Sequence, residues 1–272
     1  MRRIINFPCG ADILAGTLDA ADGATGLLIV SGGNEIRSGA FAGQAEMARH
    51  MQALGHPVFR FDRRGVGDSE GVNAGFENSA EDITAALAAF RAQQPQLRRI
   101  VGFGNCDAAA ALALYPDPGG FSAFILANPW TIDAAPPGNA ASTPNTAAIR
   151  ARYREKLRNP RSLLDLLTGR IDMRRLAVGL IKAMAVTPVS GLVMRLSDRL
   201  AVVSVPVTIC LAARDSTAMA FLAAWKSAGF KAARTKPNIV LETHNTASHS
   251  FADAPSRAWL YAQVERVLKQ QG

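Results

Sequence analysis

The stretch from Arg98 to Leu114, RRIVGFGNCDAAAALAL, constrains this chain more than any other. Ile100, Val101 and Phe103 read as a buried strand and the Ala/Leu run after Cys106 reads as a helix, so the backbone must reverse between them. The turn is Gly104-Asn105-Cys106-Asp107-Ala108, in which a nucleophile is flanked two residues away on each side by small residues. A side chain presented on a sharp strand-to-helix turn needs that pattern, because larger neighbours would clash with it. The start of the helix adds its dipole and free N–H groups, which favour a thiolate at Cys106 and an oxyanion beside it. A tight turn around an inert buried cysteine satisfies the same five residues.

The 272 residues, 49% of them hydrophobic, are enough for one large α/β domain or a core with an insertion. Three cysteines, Cys9, Cys106 and Cys210, are odd in number and far apart, which argues against a disulfide framework and for a reducing compartment. The first residues, MRRIINFPCG, are too poor in apolar residues for a signal-peptide core, and no uncharged run reaches the ~20 residues that span a bilayer. A cytoplasmic protein is therefore expected, with peripheral attachment to the inner membrane as a further option. The net charge of +8 is unevenly placed: twelve Lys/Arg and four Asp/Glu lie between Ala148 and Arg199, so the rest of the chain is formally neutral.

Residues 4–19 read as an edge hairpin and Gly26–Val30 as a central strand covered on both faces. That strand runs into Ser31-Gly32-Gly33-Asn34, where glycines permit unusual backbone angles and close approach of a ligand. A helix around Phe41–Leu54, the strand PVFRFD, the Gly-rich turn DRRGVGDSEG and a helix over 79–93 lead to the Cys106 turn. The turn is expected to be mainly architectural, with Arg64 and Ser69 as lesser candidates for substrate contact. FSAFILANPW is another buried strand, ending at Trp130; a boundary follows near Thr131, and helical spacing continues to about Ala201. Strands then resume in VPVTICLAARD and NIVLETH, each followed by a helix. The expected fold class is α/β, a doubly wound, mostly parallel sheet. Residues 1–130 and 202–272 form its two halves, and residues 131–201 an inserted helical cap.

A nucleophilic thiol needs a base within hydrogen-bond reach and a third group to orient that base. Asp215 closes an apolar strand and His249 lies in the loop after the next one, so both fall at carboxyl ends of strands, where such sheets bind ligands. Asp215 also has the sequence context of a helix N-cap, and His244 competes with His249 for the role of base. No Cys/His cluster has metal-ligand spacing, and no cofactor motif is present.

At this point the sequence resembles the α/β-hydrolases: GNCDA matches their nucleophile elbow with cysteine for serine, and the order nucleophile, acid, histidine is theirs. VSGGNEIRSGAF, FRFDRRGVGDSEG, GNCDAAAA and LANPW look more narrowly like the exosortase-A-associated hydrolase family, first type, found in bacterial envelope and exopolysaccharide loci. The resemblance implies the α/β-hydrolase fold, Cys106 as nucleophile, Asp215 as acid, His249 as base, and the amides of Asp107 and Gly33 or Asn34 as the oxyanion hole. The expected activity is hydrolysis of an ester or thioester through an acyl-cysteine intermediate, with acyl transfer or an inactive binding module as alternatives. Trp130, Arg150 and Arg154 are candidate substrate contacts. The basic segment suits an acyl carrier protein, a coenzyme A thioester or an anionic membrane surface, whereas nucleic acid is disfavoured because no aromatic platform accompanies the charge.

Overall fold

The computed structural model describes residues 1–115, 120–133 and 191–272. Its elements are β1 (Arg2–Cys9), β2 (Asp12–Asp19), β3 (Thr25–Val30), α1 (Gly43–Ala53), β4 (Val58–Phe61), α2 (Ala80–Gln93), β5 (Arg99–Asn105), α3 (Asp107–Leu114) and β6 (Ala123–Ala127). Beyond residue 190 come α4 (Gly191–Val202), β7 (Val207–Ala212), α5 (Ser216–Trp225), α6 (Lys231–Arg234), β8 (Ile239–His244) and α7 (Ala254–Gln270). The strands form one sheet in the order β1-β2-β4-β3-β5-β6-β7-β8. β2 is antiparallel to β1 and β4, and every other pairing is parallel.

Alternation along the central strands feeds two apolar layers. From β3, Leu28 and Val30 join Phe90 of α2 and Phe221 of α5 on one face, while Leu27 and Ile29 join Met47 and Met51 of α1 and Val264 of α7 on the other. Each such fully buried Leu or Phe contributes about 1.5–3 kcal/mol by leaving water. The doubly wound sheet expected from the sequence is therefore the observed one, and its strand ends converge around Cys106.

The helix Gly191–Val202, assigned by sequence to the end of the cap, packs with the core. Leu192, Leu196 and Leu200 are buried in the same layer as α3 and α5. Its first amides, Gly191 and Leu192, donate to the Asp133 carboxylate at 3.1 and 2.9 Å. Asp133 and Gly191, 58 residues apart in the sequence, thus meet at one point, and most of the expected cap, residues 131–201, lies outside the described residues. Arg150 and Arg154 lie outside the described residues.

Candidate active site

Strand β5 reaches Cys106 with glycine at 102 and 104: the bare position at 104 lets α3 lie close, and the one at 102 leaves room for the Phe121 ring. A Cβ at Gly104 would sit 2.6 Å from the carbonyl carbon of Ala108, and one at Gly102 3.0 Å from the Phe121 ring. Ala108 is fully buried at the contact. Cys106 itself has φ 62 and ψ −125. Such a conformation costs a non-glycine residue on the order of 1–3 kcal/mol and persists only where the surroundings enforce it. They do so here: the Cys106 amide donates to Ala127 O at 2.9 Å, and Cys106 O accepts from Trp130 N at 3.1 Å. The thiol is half-buried, whereas Cys9 and Cys210 are buried in the core, and burial pushes the Cys210 thiol up to about 12.

The loop after β8 brings His249 back to this turn. Nδ1 of its ring lies 2.9 Å from Asp215 Oδ2, and the Cys106 side chain is among the groups that raise the ring's pKa. The three residues singled out in the sequence are thus brought together. The hydrogen bond to Asp215 and then the Cys106 side chain raise the His249 pKa to about 10, against the opposing effect of burial. Burial works against ionising Asp215, but the His249 hydrogen bond and charge, with the amides of Ala218 and Thr217, hold its carboxyl below the usual range. The Asp215 carboxylate thus contacts the imidazole and caps a helix at the same time. The same Oδ2 accepts from Thr217 N at 3.1 Å and Ala218 N at 3.0 Å, capping α5. His244 is elsewhere, its ring stacked on Trp259 of α7 with centroids 5.2 Å apart.

Two asparagines that sequence reasoning did not single out fix the histidine loop. Asn128, fully buried and at φ 42, donates from Nδ2 to His249 O at 2.9 Å and to Asn105 Oδ1 at 3.2 Å. Its Oδ1 accepts from Ala212 N at the end of β7 at 2.8 Å. Asn105 adds a longer donation to His249 O at 3.3 Å. The segments bearing Cys106, Asp215 and His249 are tied together by one buried amide. The left-handed backbone of Asn128 is one that asparagine adopts more readily than most residues with a Cβ.

The expected oxyanion donors are arranged differently from the expectation. Asp107 opens α3, where an amide has no intrahelical acceptor. The Gly33 amide, however, donates to Asp107 Oδ1 at 2.6 Å, while Gly33 O accepts from Arg63 Nη2 at 2.5 Å. Arg63 Nη2 is also 3.6 Å from Asp107 Oδ2. The Gly33 peptide is thus gripped from both sides, and a Cβ on Gly32 would be 2.8 Å from Asp107 Oδ1, so only glycine fits there. Asn34 anchors the loop through its side chain, which accepts from Asn73 Nδ2 at 3.0 Å. Trp130 directs its indole N–H to Ile132 O at 2.7 Å. Arg64 and Ser69 serve the scaffold: Arg64 pairs with Asp82 at 2.6 Å, and Ser69 bridges Ala15 N and Asp62 O.

Residues 24–220 match the family described as serine aminopeptidase, S33, which is most of the chain. The chain belongs to this family. It is an α/β-hydrolase, and at the elbow of a family named for a serine enzyme it carries Cys106. Among solved structures it is similar to the Pyrococcus furiosus esterase Pf2001, at TM-score 0.65 and 13% identity over 99% of this chain and 91% of that one. It is also similar to DcsB in complex with its substrate analogue (0.62; 15%; 99% of each chain). Proline iminopeptidase from Mycobacterium smegmatis is a third such structure (0.61; 15%; 98% of each chain). At these identities the likeness is one of fold. No protein of curated function matches the sequence. Among the described residues no helix is long and apolar enough to cross a membrane.

Proposed function

We propose that the protein is an acyl hydrolase acting through an acyl-cysteine intermediate, with Cys106 as nucleophile, His249 as base and acid, and Asp215 orienting the ring. The observation that carries this reading is the placement of one imidazole between a buried carboxylate at 2.9 Å and the thiol on the strained turn. Asp215 on Nδ1 leaves Nε2 to serve the sulfur, the tautomer that proton transfer requires. The sulfur, its proton taken up by His249, adds to an ester or thioester carbonyl, and the Asp107 amide receives the resulting oxyanion. Collapse breaks the bond to the leaving group, which departs with the proton from His249, and leaves a thioester on Cys106. Water then adds to that thioester as His249 takes its proton, releasing the carboxylic acid and the free thiol. The motifs shared with the exosortase-A-associated type support assigning the chain to that branch.

Intact-mass spectrometry after brief incubation with p-nitrophenyl esters and acyl thioesters should find one acyl adduct, on Cys106. Cys106→Ala should abolish it, and His249→Ala and Asp215→Ala should each slow its formation on the order of 10³-fold without multiplying when combined. Ester cleavage that survives Cys106→Ala at the native rate would overturn the reading.

A further inference from the structure

The amide of Gly33, the second donor expected for an oxyanion, is already engaged. Its N–H donates at 2.6 Å to Oδ1 of Asp107, the residue whose own amide is the first donor. A carboxylate at this place takes the hydrogen bond that a tetrahedral oxyanion needs, and it sets one negative charge beside the spot where another must develop. Next to the carboxylate lies a cation with a bond to spare. Arg63 is buried, its Nη2 donates to Gly33 O at 2.5 Å, and the same nitrogen stands 3.6 Å from Asp107 Oδ2. Charge-assisted hydrogen bonds close to about 2.7–2.9 Å, so a shift of under about 1 Å would complete this one. Nη1 of the same guanidinium is buried and has no hydrogen-bond partner among the described residues. A buried N–H without an acceptor is penalised, so Arg63 gains from any acceptor that moves toward it. The Asp107 side chain is 16% exposed and has the freedom that the arginine lacks.

We propose that the Asp107 carboxylate is a latch on the oxyanion hole and that Arg63 is the positioning residue that opens it, an inference resting on the acyl-cysteine reading above. With the carboxylate on Gly33 N–H, the hole is closed and has one donor left, the Asp107 amide. As Cys106 adds to a carbonyl, the carboxylate passes to the Arg63 guanidinium and Nη1 gains its acceptor. Gly33 N–H is then released to the oxyanion. Arg63 goes on holding Gly33 O, which keeps that N–H aimed at the site. The carboxylate changes donors without gaining or losing a proton, so the proton balance of acylation is untouched. One acceptor shared between two donors makes a two-state element, and the developing oxyanion favours the open state because it binds only there.

A latch and a merely structural ion pair predict opposite signs. Two readouts apply: the rate of Cys106 acylation by p-nitrophenyl acetate, followed as the nitrophenolate burst, and inhibition by a trifluoromethyl ketone, whose adduct with the thiol carries an oxyanion in the same hole. Arg63→Met should slow acylation about 100-fold, the worth of one oxyanion donor, with little change in KM, and should weaken the ketone to match. Asp107→Ala keeps the backbone amide and should raise the acylation rate several-fold and tighten the ketone, although it strips a partner from a buried cation. Combined with Asp107→Ala, Arg63→Met should cost less than about ten-fold, because no carboxylate remains to be moved. If Arg63→Met does not fold, Asp107→Ala and Asp107→Asn decide the matter alone. Both should speed acylation, the first more than the second, since the asparagine oxygen still accepts from Gly33 N–H. Slower acylation in Asp107→Ala, or effects of the two substitutions that simply multiply, would overturn the latch alone. Absence of any acyl or ketone adduct on Cys106 of the native protein overturns the acyl-cysteine reading and the latch with it.

Discussion

Asn128 shows how much of this site rests on a residue that touches no substrate. Its donor end holds the His249 carbonyl and its acceptor end holds the Ala212 amide, three residues before Asp215. Truncation would therefore have two separable effects. Asn128→Ala leaves the Ala212 N–H buried without an acceptor, which costs about 1–3 kcal/mol in a denaturant titration. It also frees the histidine loop, and a displacement near 1 Å at the base is worth about 100-fold in rate. Rapid-mixing measurements should then find acylation of Cys106 slowed about 100-fold with KM nearly unchanged, an outcome that a purely structural role does not produce. Asn105→Ala should do less, because its bond to the same carbonyl is longer, at 3.3 Å. These roles were not legible in the sequence. Asparagine in a loop is ordinary, and which carbonyl its amide reaches depends on the tertiary course of two other segments. The same holds for Asp107: its amide follows from the turn pattern, but its carboxylate's capture of Gly33 N–H does not.

At the scale of elements, the β5–α3 unit was legible because its requirements are local. Alternating apolar residues, glycines on the face toward the helix and an alanine two residues past the turn all describe one close contact. Gly104→Ala should violate it, since the added carbon would stand 2.6 Å from the Ala108 backbone, which cannot rotate away. Equilibrium unfolding should show a loss of about 1–3 kcal/mol, the usual cost of overpacking, and reduced reactivity of the Cys106 thiol as the turn shifts. Gly102→Ala meets the edge of the Phe121 ring at 3.0 Å and should cost less, because a ring can adjust. For the helix Gly191–Val202 the sequence leaves the packing partner open, for an equally physical reason. Leucines at helical spacing report that a helix has one apolar face, and the pattern is the same whether that face lies on the core or on an insertion. Only the burial of Leu192, Leu196 and Leu200 beside α3 decides the matter.

At the scale of the molecule, the proposed triad joins the ends of strands β5, β7 and β8, which lie far apart in the sequence, so its electrostatics report on the whole fold. His249 has a folded-state pKa raised from 6.5 to about 10, and Asp215 one lowered from 3.8. A raised histidine pKa means the folded state binds the proton more tightly. Its stabilising contribution is then complete below pH 6.5 and disappears as the pH rises through about 10. For the lowered carboxyl the sign is opposite: the contribution is present above pH 3.8 and is lost as the pH falls through the folded value. Both operate fully between roughly pH 4 and pH 6.5. The ring is 37% exposed, so solvent screens the interaction and the slope with pH is the informative quantity. Urea unfolding of the native protein and His249→Ala should give a stability difference in favour of the native protein that is constant from pH 5 to 6.5. That difference should shrink steadily as the pH is raised toward 10. Comparing the two proteins cancels the titration of Tyr261 and of the buried thiols, which they share. A difference that stays flat or widens between pH 6.5 and pH 10 would mean that His249 gains no proton affinity on folding.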